Sequence, residues 1–322
     1  AVRDGKKAVF DAFASVVRGI GMDCSDVGVL VSSDLSVCDA DSKSPPSPNT
    51  PTSLGNNLYV TTTYVQDRAN IALDVKEMAE ELSLGRIGPA QLIYLEGRNS
   101  AVYDKQGKEI DLRTLSAFSM DAVWTMANNP LYQTAVYALR DSDGKFLGSP
   151  ASQYADTLVK EMFKTGATTR TPLAAEAAVA LNVWMELANE LYETVRNCRR
   201  GKLTDEDGIH SIDEAVAYWI GDGQIAGDGE VGHLLYALAE RMGKEFGVKS
   251  SRQSRTNVNI LRLFHQAKME VSLSNGCLEN TATPRRVRRI VDKIAGQMVI
   301  VLVQALIHYL RTDDERDRVR IY

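Results

Sequence analysis

An all-α fold of packed antiparallel helices is what this sequence predicts, and three observations predict it. Apolar residues recur at helical spacing along most of the chain from Ala151 to Arg311. Proline is scarce, at 9 of 322 residues, while Ala, Leu, Glu and Met are frequent. The strand-like runs are short and fold around glycine turns. With 44% apolar and 25% charged residues the composition is that of a folded soluble protein, which excludes a wholly disordered chain. A net charge of −5 argues against a dedicated nucleic-acid binder, which would carry a basic surplus. The length suits two parts: an N-terminal helical half over 1–150, and a C-terminal helical bundle over 151–322.

The elements follow in order. Val9, Phe10, Phe13, Val16 and Val17 stand at helical spacing in residues 5–18. Residues 39–57 form a polar loop, because their serines and prolines can neither build a core nor hold a helix. A helix from Gln66 to Leu84 carries Ile71, Val75, Met78, Ala79 and Leu82 on one face and ends at Gly85. Val102 to Ile110 reads as a hairpin around Gly107, and Asp141 to Lys145 as a similar turn. Further helices are predicted over 152–164, 173–199, 211–220, 230–246, 254–273 and 284–311. Pro172 opens the long one, Gly201 closes it, and Thr283-Pro284 caps the last. Trp124, Trp184 and Trp219 occupy apolar helical positions and are expected in the core, as are His265 and His308.

Four cysteines, Cys24, Cys38, Cys198 and Cys277, lie too far apart for a C-x-x-C site. Their even count fits two disulfides, Cys24–Cys38 and Cys198–Cys277, and hence an extracellular or periplasm-like compartment. Four unrelated buried thiols are the alternative. No charged-then-apolar leader opens the sequence, so a signal peptide is taken as already removed. The one long apolar run, Ile294–Leu310, is about 25 Å as a helix, contains Gln297, Gln304 and His308, and reads as a core helix, not a membrane span.

The chemistry-bearing residues gather between Gly208 and Glu240. On a helix, His210 stands beside Asp213 and Glu214, and an imidazole with carboxylates suits iron or zinc. Glu230 and His233 form a Glu-x-x-His pair of the kind that projects inward in di-metal bundles, with Glu240 further along. Solvated helix pairs and macrodipole partners are the plain alternative for all of these. An EF-hand reading fails at its first position, where Leu203 cannot ligate. The glycines from Gly221 to Gly229 make a turn that reverses the chain. In a plain hairpin the helix starts bearing His210 and His233 lie about 15 Å apart. A shared site therefore needs a short or tilted helix, or ligands such as Glu186 and Glu190; two half-sites are the alternative. The Arg285, Arg286, Arg288 and Arg289 cluster reads as a solvated face.

Gly208-Ile209-His210-Ser211-Ile212-Asp213 resembles the G-x-H-x-x-E motif of the imelysin-like proteins, with Asp213, or Glu214 one residue on, where that family has Glu. The run Asp213–Gly221 with Gly232–Glu240 is similar to the extracellular iron-assimilation proteins of algae. The match covers some 35 residues, and the resemblance implies a helical bundle with an iron role and no redox catalysis. The expectation is therefore a non-enzymatic, secreted or periplasm-like protein that binds iron or another metal through His210, Asp213, Glu214, Glu230 and His233. Protein partners or a homo-oligomer are possible, with no nucleic acid and no transmembrane segment. The rival is a structural or assembly protein without a metal. An enzyme using the same histidine and carboxylates ranks below both, since no nucleophile pattern is present.

Overall fold

The structure is a computed structural model that describes residues 50–104, 108–126, 129–164, 171–201, 208–250, 252–274, 277 and 282–311. The helix expected at 5–18, the Cys24–Cys38 pair and the Trp124 side chain lie outside the described residues. Helix makes up 65% of the structure and strand 8%, so the fold is all-α. Among the described residues the strands form four isolated antiparallel pairs.

A short ribbon, β1 (Ser53–Leu54) with β2 (Tyr59–Val60), leads through Thr61–Val65 into α1 (Gln66–Ala69) and α2 (Ile71–Ser83). Only Asn70, still in right-handed helical geometry, separates the two, so the helix predicted from Gln66 is present with a break in its first turns. It stops at Gly85, whose φ of 71° favours glycine. Then come α3 (Ile87–Glu96), which the pattern missed because Gly88-Pro89 stands in its first turn, and the expected hairpin, β3 (Ala101–Tyr103) with β4 (Glu109–Leu112). Helices α4 (Phe118–Met126) and α5 (Pro130–Leu139) precede the ribbon of β5 (Lys145–Phe146) and β6 (Ser149–Pro150), and α6 (Tyr154–Met162) follows. The Asp141 carboxylate accepts from the backbone of Asp143 and Lys145, which makes the expected turn.

The long helix is present but not uniform. Thr171–Leu173 is a 3₁₀ turn, α7 (Ala174–Ala177) follows, Ala178–Val183 is a π turn, and α8 (Trp184–Arg200) ends at left-handed Gly201. Helix α9 (Gly208–Ile220) packs along α8. Next, α10 (Leu235–Glu245) leads to the ribbon of β7 (Lys249–Ser250) and β8 (Gln253–Ser254), and then to α11 (Arg255–Leu273), capped by Ser254 Oγ on Asn257 N–H. Finally α12 (Thr283–Arg311) lies against α11, α8 and α10.

One contiguous core draws on residues from Leu54 to Ala305, on both sides of position 150, with Trp219, Tyr94 and Tyr236 among its largest members. Two expectations about it need correction. Helix α12 is not central: Ile300, Val303, Leu306 and Ile307 are about 40% exposed, because one face alone packs inward. By length and composition Thr283–His308 could cross a membrane, and a third of its most apolar stretch is buried within the fold. Nor are His265 and His308 core residues. His265 is exposed and stacks on Tyr59 at 4.5 Å, while His308 is partly exposed with Nδ1 3.4 Å from Glu245. The predicted Cys198–Cys277 disulfide is present and ties the end of α8 to the turn after α11. In the basic cluster Arg286 pairs with Glu270 at 2.7 Å, and Arg288 with Asp292 at 2.8 Å.

Candidate functional site

The paired helices α8 and α9 carry acidic and imidazole groups at matching intervals. Glu186 and Glu190 are four apart on α8, and His210 and Glu214 are four apart on α9, so each pair shares a face. Helix α1 adds Asp67 and Arg68, and Arg113 follows β4.

Glu214 is the hub. Its Oε1 lies 3.1 Å from His210 Nε2 and is also paired with the Arg68 guanidinium. Burial acts to raise its pKa, but Arg68, His210, a hydrogen bond from Glu190 and Arg113 outweigh that and hold it below the usual range. Glu190 is pushed well above the carboxylate range by burial and by Glu214 and Glu186, so it keeps its proton and donates to Glu214. Glu186, 8% exposed, is pushed up to about 8 by burial and by Asp121 and Glu214. Its Oε2 is buried without a hydrogen-bond partner. Arg68 also pairs with Asp67 at 2.5 Å, and Arg113 reaches the same oxygen at 3.0 Å.

The other side of His210 is fixed as well. Its Nδ1 lies 2.8 Å from Thr63 Oγ1, and that hydroxyl donates to Asp213 Oδ2 at 3.1 Å. A hydroxyl whose proton is committed to Asp213 can only accept from the ring, so Nδ1 carries a proton and Nε2 faces Glu214. Asp213 Oδ2 accepts in addition from the backbone of Thr62 at 2.7 Å and Thr63 at 3.0 Å.

Of the five residues expected to ligate, the structure brings together His210 and Glu214. Asp213 is corrected to a supporting position: it is fully buried, faces the Thr62–Thr63 backbone and reaches His210 only through Thr63. Glu230 and His233 are corrected too. They precede α10 in a non-helical loop, since α10 starts at Leu235, so the Glu-x-x-His spacing projects no shared face. Asp228 Oδ1 accepts from the backbone of Glu230 and Val231, and Gln224 Nε2 donates to the carbonyls of Ile225 and Asp228 at 2.7 Å; these bonds hold the loop in place of a helix. His233 has Lys76, Glu80 and Arg241 around it, none of them a neighbour of His210. Glu240 is taken up elsewhere, accepting from Ser254 and Asn257 at 2.8 Å. Among the described residues, no three His, Cys, Asp or Glu side chains converge closely enough to hold a metal ion as they stand.

Sequence reading missed Thr63, Arg68 and Arg113. Arg68 could have been found: extending the Ile71, Val75, Met78 face back by one step places Arg68 on the buried side of its helix. Thr63 and Arg113 sit in non-helical segments where no periodicity marks them. Compared with protein families, with curated proteins and with solved structures, the chain finds no match.

Proposed function

We propose that this protein is a non-enzymatic helical binder of a metal cation, iron by the motif resemblance, and that Glu186, Glu190, His210 and Glu214 hold the ion between α8 and α9. The observation that carries the reading is the orphaned Glu186 Oε2, a buried acceptor in electrostatic reach of Glu190 and Glu214, the latter 3.1 Å from His210; the side chains must shift to close on an ion, since no three of them converge as they stand. A cation satisfies that acceptor and replaces the protons of Glu186 and Glu190. The Asp213–Thr63–His210 relay supports it, because ligating histidines are commonly oriented by a second hydrogen bond on the other ring nitrogen. Loading draws Glu214 from Arg68 to the ion, while Asp67 retains the guanidinium. The Cys198–Cys277 disulfide favours a secreted or periplasm-like setting.

Elemental analysis of protein purified without chelator, followed by ferrous and ferric titration, tests this. The expected result is stoichiometric metal that is lost in His210→Ala and Glu186→Gln and retained in His233→Ala. Metal-free wild type that takes up no iron overturns the proposal, as does full occupancy in His210→Ala.

The exposed Ile300, Val303, Leu306 and Ile307 of α12 favour a second reading, assembly through protein–protein contact. Light scattering that gives a monomer mass at all concentrations, together with no partner binding lost in Ile300→Lys, rules it out.

A further inference from the structure

Away from the Glu186–His210 cluster, a cavity of about 760 Å³ opens among α2, α6, the π turn, α10 and the end of α12. That volume is in the range of small-molecule sites, about 300–1,000 Å³. Its floor is aliphatic, including Val75, Leu158, Met162, Val179, Leu238 and Met242. One wall is the π turn Ala178–Val183, a distortion common at ligand sites.

The polar groups at the mouth divide by burial. His233, Arg241 and His308 are partly withdrawn from solvent, whereas Glu176, Glu230 and Glu245 are exposed. His308 is already paired with Glu245, so the partly buried donors left at the mouth are His233 and Arg241. The His233 imidazole is pushed below its usual range by burial and by Lys76, which keeps it neutral and able to hydrogen-bond.

The site is also preformed. Arg241 Nη1 donates to the Gly229 carbonyl at 2.9 Å, pinning the loop that carries His233. Within that loop a Cβ at Gly232 would stand 1.6 Å from Gln224 Oε1, so the side chain that organises the loop packs directly on the glycine.

We propose that this cavity binds an aliphatic carboxylate of the fatty-acid class, its chain on the Val75–Met242 floor and its carboxylate at His233 and Arg241. The assignment of head to rim rests on charge complementarity: His233 and the Arg241 guanidinium are partly buried donors at the mouth, and an anionic acceptor head complements them. The aliphatic tail follows from the floor, which offers no polar group to a polar ligand body.

The test is isothermal titration of the full chain with dodecanoate below its micelle concentration, with dodecyltrimethylammonium as the cationic control. Dodecanoate is expected to bind saturably at one site per chain, and the cationic amphiphile at least tenfold more weakly. Ala180→Trp fills the cavity from the π turn, and Ala79→Trp blocks it from an exposed position that leaves the core intact. Each should abolish binding, with a far-UV spectrum confirming the fold. Arg241→Gln keeps a donor for Gly229 but loses the charge, and should weaken binding about tenfold or more. Absence of saturable binding overturns the proposal. So does binding unchanged in both tryptophan variants, or equal affinity for the cationic amphiphile.

Discussion

Replacing Asn257 by alanine should destabilise the protein by about 3 kcal/mol, because this side chain joins three helices through one buried node. Asn257 is fully buried. Its Oδ1 accepts from Trp219 Nε1 on α9 at 3.0 Å, and its Nδ2 donates to the Tyr236 carbonyl at 3.0 Å and to Glu240 Oε1 at 2.8 Å on α10. The amide orientation is dictated by chemistry, since the indole N–H can only donate and the other two groups only accept. Alanine leaves the Trp219 N–H, fully buried, with no partner, at about 1–3 kcal/mol. Glu240 keeps Ser254 N–H and Lys249, and the Tyr236 carbonyl keeps its helical bond, so these two losses are nearer 0.5–1.5 kcal/mol each. Urea unfolding followed by tryptophan fluorescence reads the total, and a thermal melt should fall by roughly 6–12 °C. A double-mutant cycle with Trp219→Phe isolates the indole bond: Asn257→Ala should cost about 1–2 kcal/mol less once the N–H is gone. A loss under about 1 kcal/mol, or a coupling near zero, would refute the account of this node.

Two further outcomes follow from other parts of the fold. Replacing both Cys198 and Cys277 by serine opens a loop with a sequence separation of 79 and should cost about 4.5 kcal/mol in the chain-entropy account, read as a lower urea midpoint; an unchanged midpoint contradicts it. The Glu186 carboxyl, pushed up to about 8 in the fold, binds a proton that the unfolded chain releases near pH 4.5. The folded state therefore holds more protons in that window, and stability of the metal-free protein falls as pH rises through it, by up to about 1.4 kcal/mol per pH unit from this group. Glu186→Gln should flatten the slope and raise stability at pH 8; a pH-independent wild type between 5.5 and 8 contradicts this.

The helices were legible because burial leaves a periodic trace. The apolar positions of α2, α8 and α11 repeat at the helical interval, and their ends carry local chemistry: glycine at 85 and 201, serine at 254. The pairing of Cys198 with Cys277 was legible only as the remainder of an even cysteine count, with free thiols as the alternative, and the fold decides it by bringing the two Cα atoms to 5.3 Å. Less was legible where spacing stood in for structure. Glu230 and His233 have the interval of a bundle ligand pair, yet Asp228 and Gln224 satisfy the local backbone in a loop, so the interval has no face to act on. His265 and His308 sit on apolar helices, but each helix buries only one side, and the sequence does not say which edge of the stripe is covered.

What the sequence alone determined is the fold class, the approximate ends of α2, α6, α8, α9, α11 and α12 though not the presence of α3, α4 and α5, and the placement of His210 beside Glu214 four residues on, because each depends on neighbours along a single helix. What the tertiary structure decided is everything that meets across elements. Arg68 comes onto Glu214, Thr63 stands between His210 and Asp213, and Glu186 and Glu190 are set against them from α8. Those contacts join residues separated by as much as 150 positions, and their chemistry depends on burial that no local pattern encodes: the same glutamate that would be an ordinary solvated charge on an exposed helix retains its proton once α8 and α9 close over it.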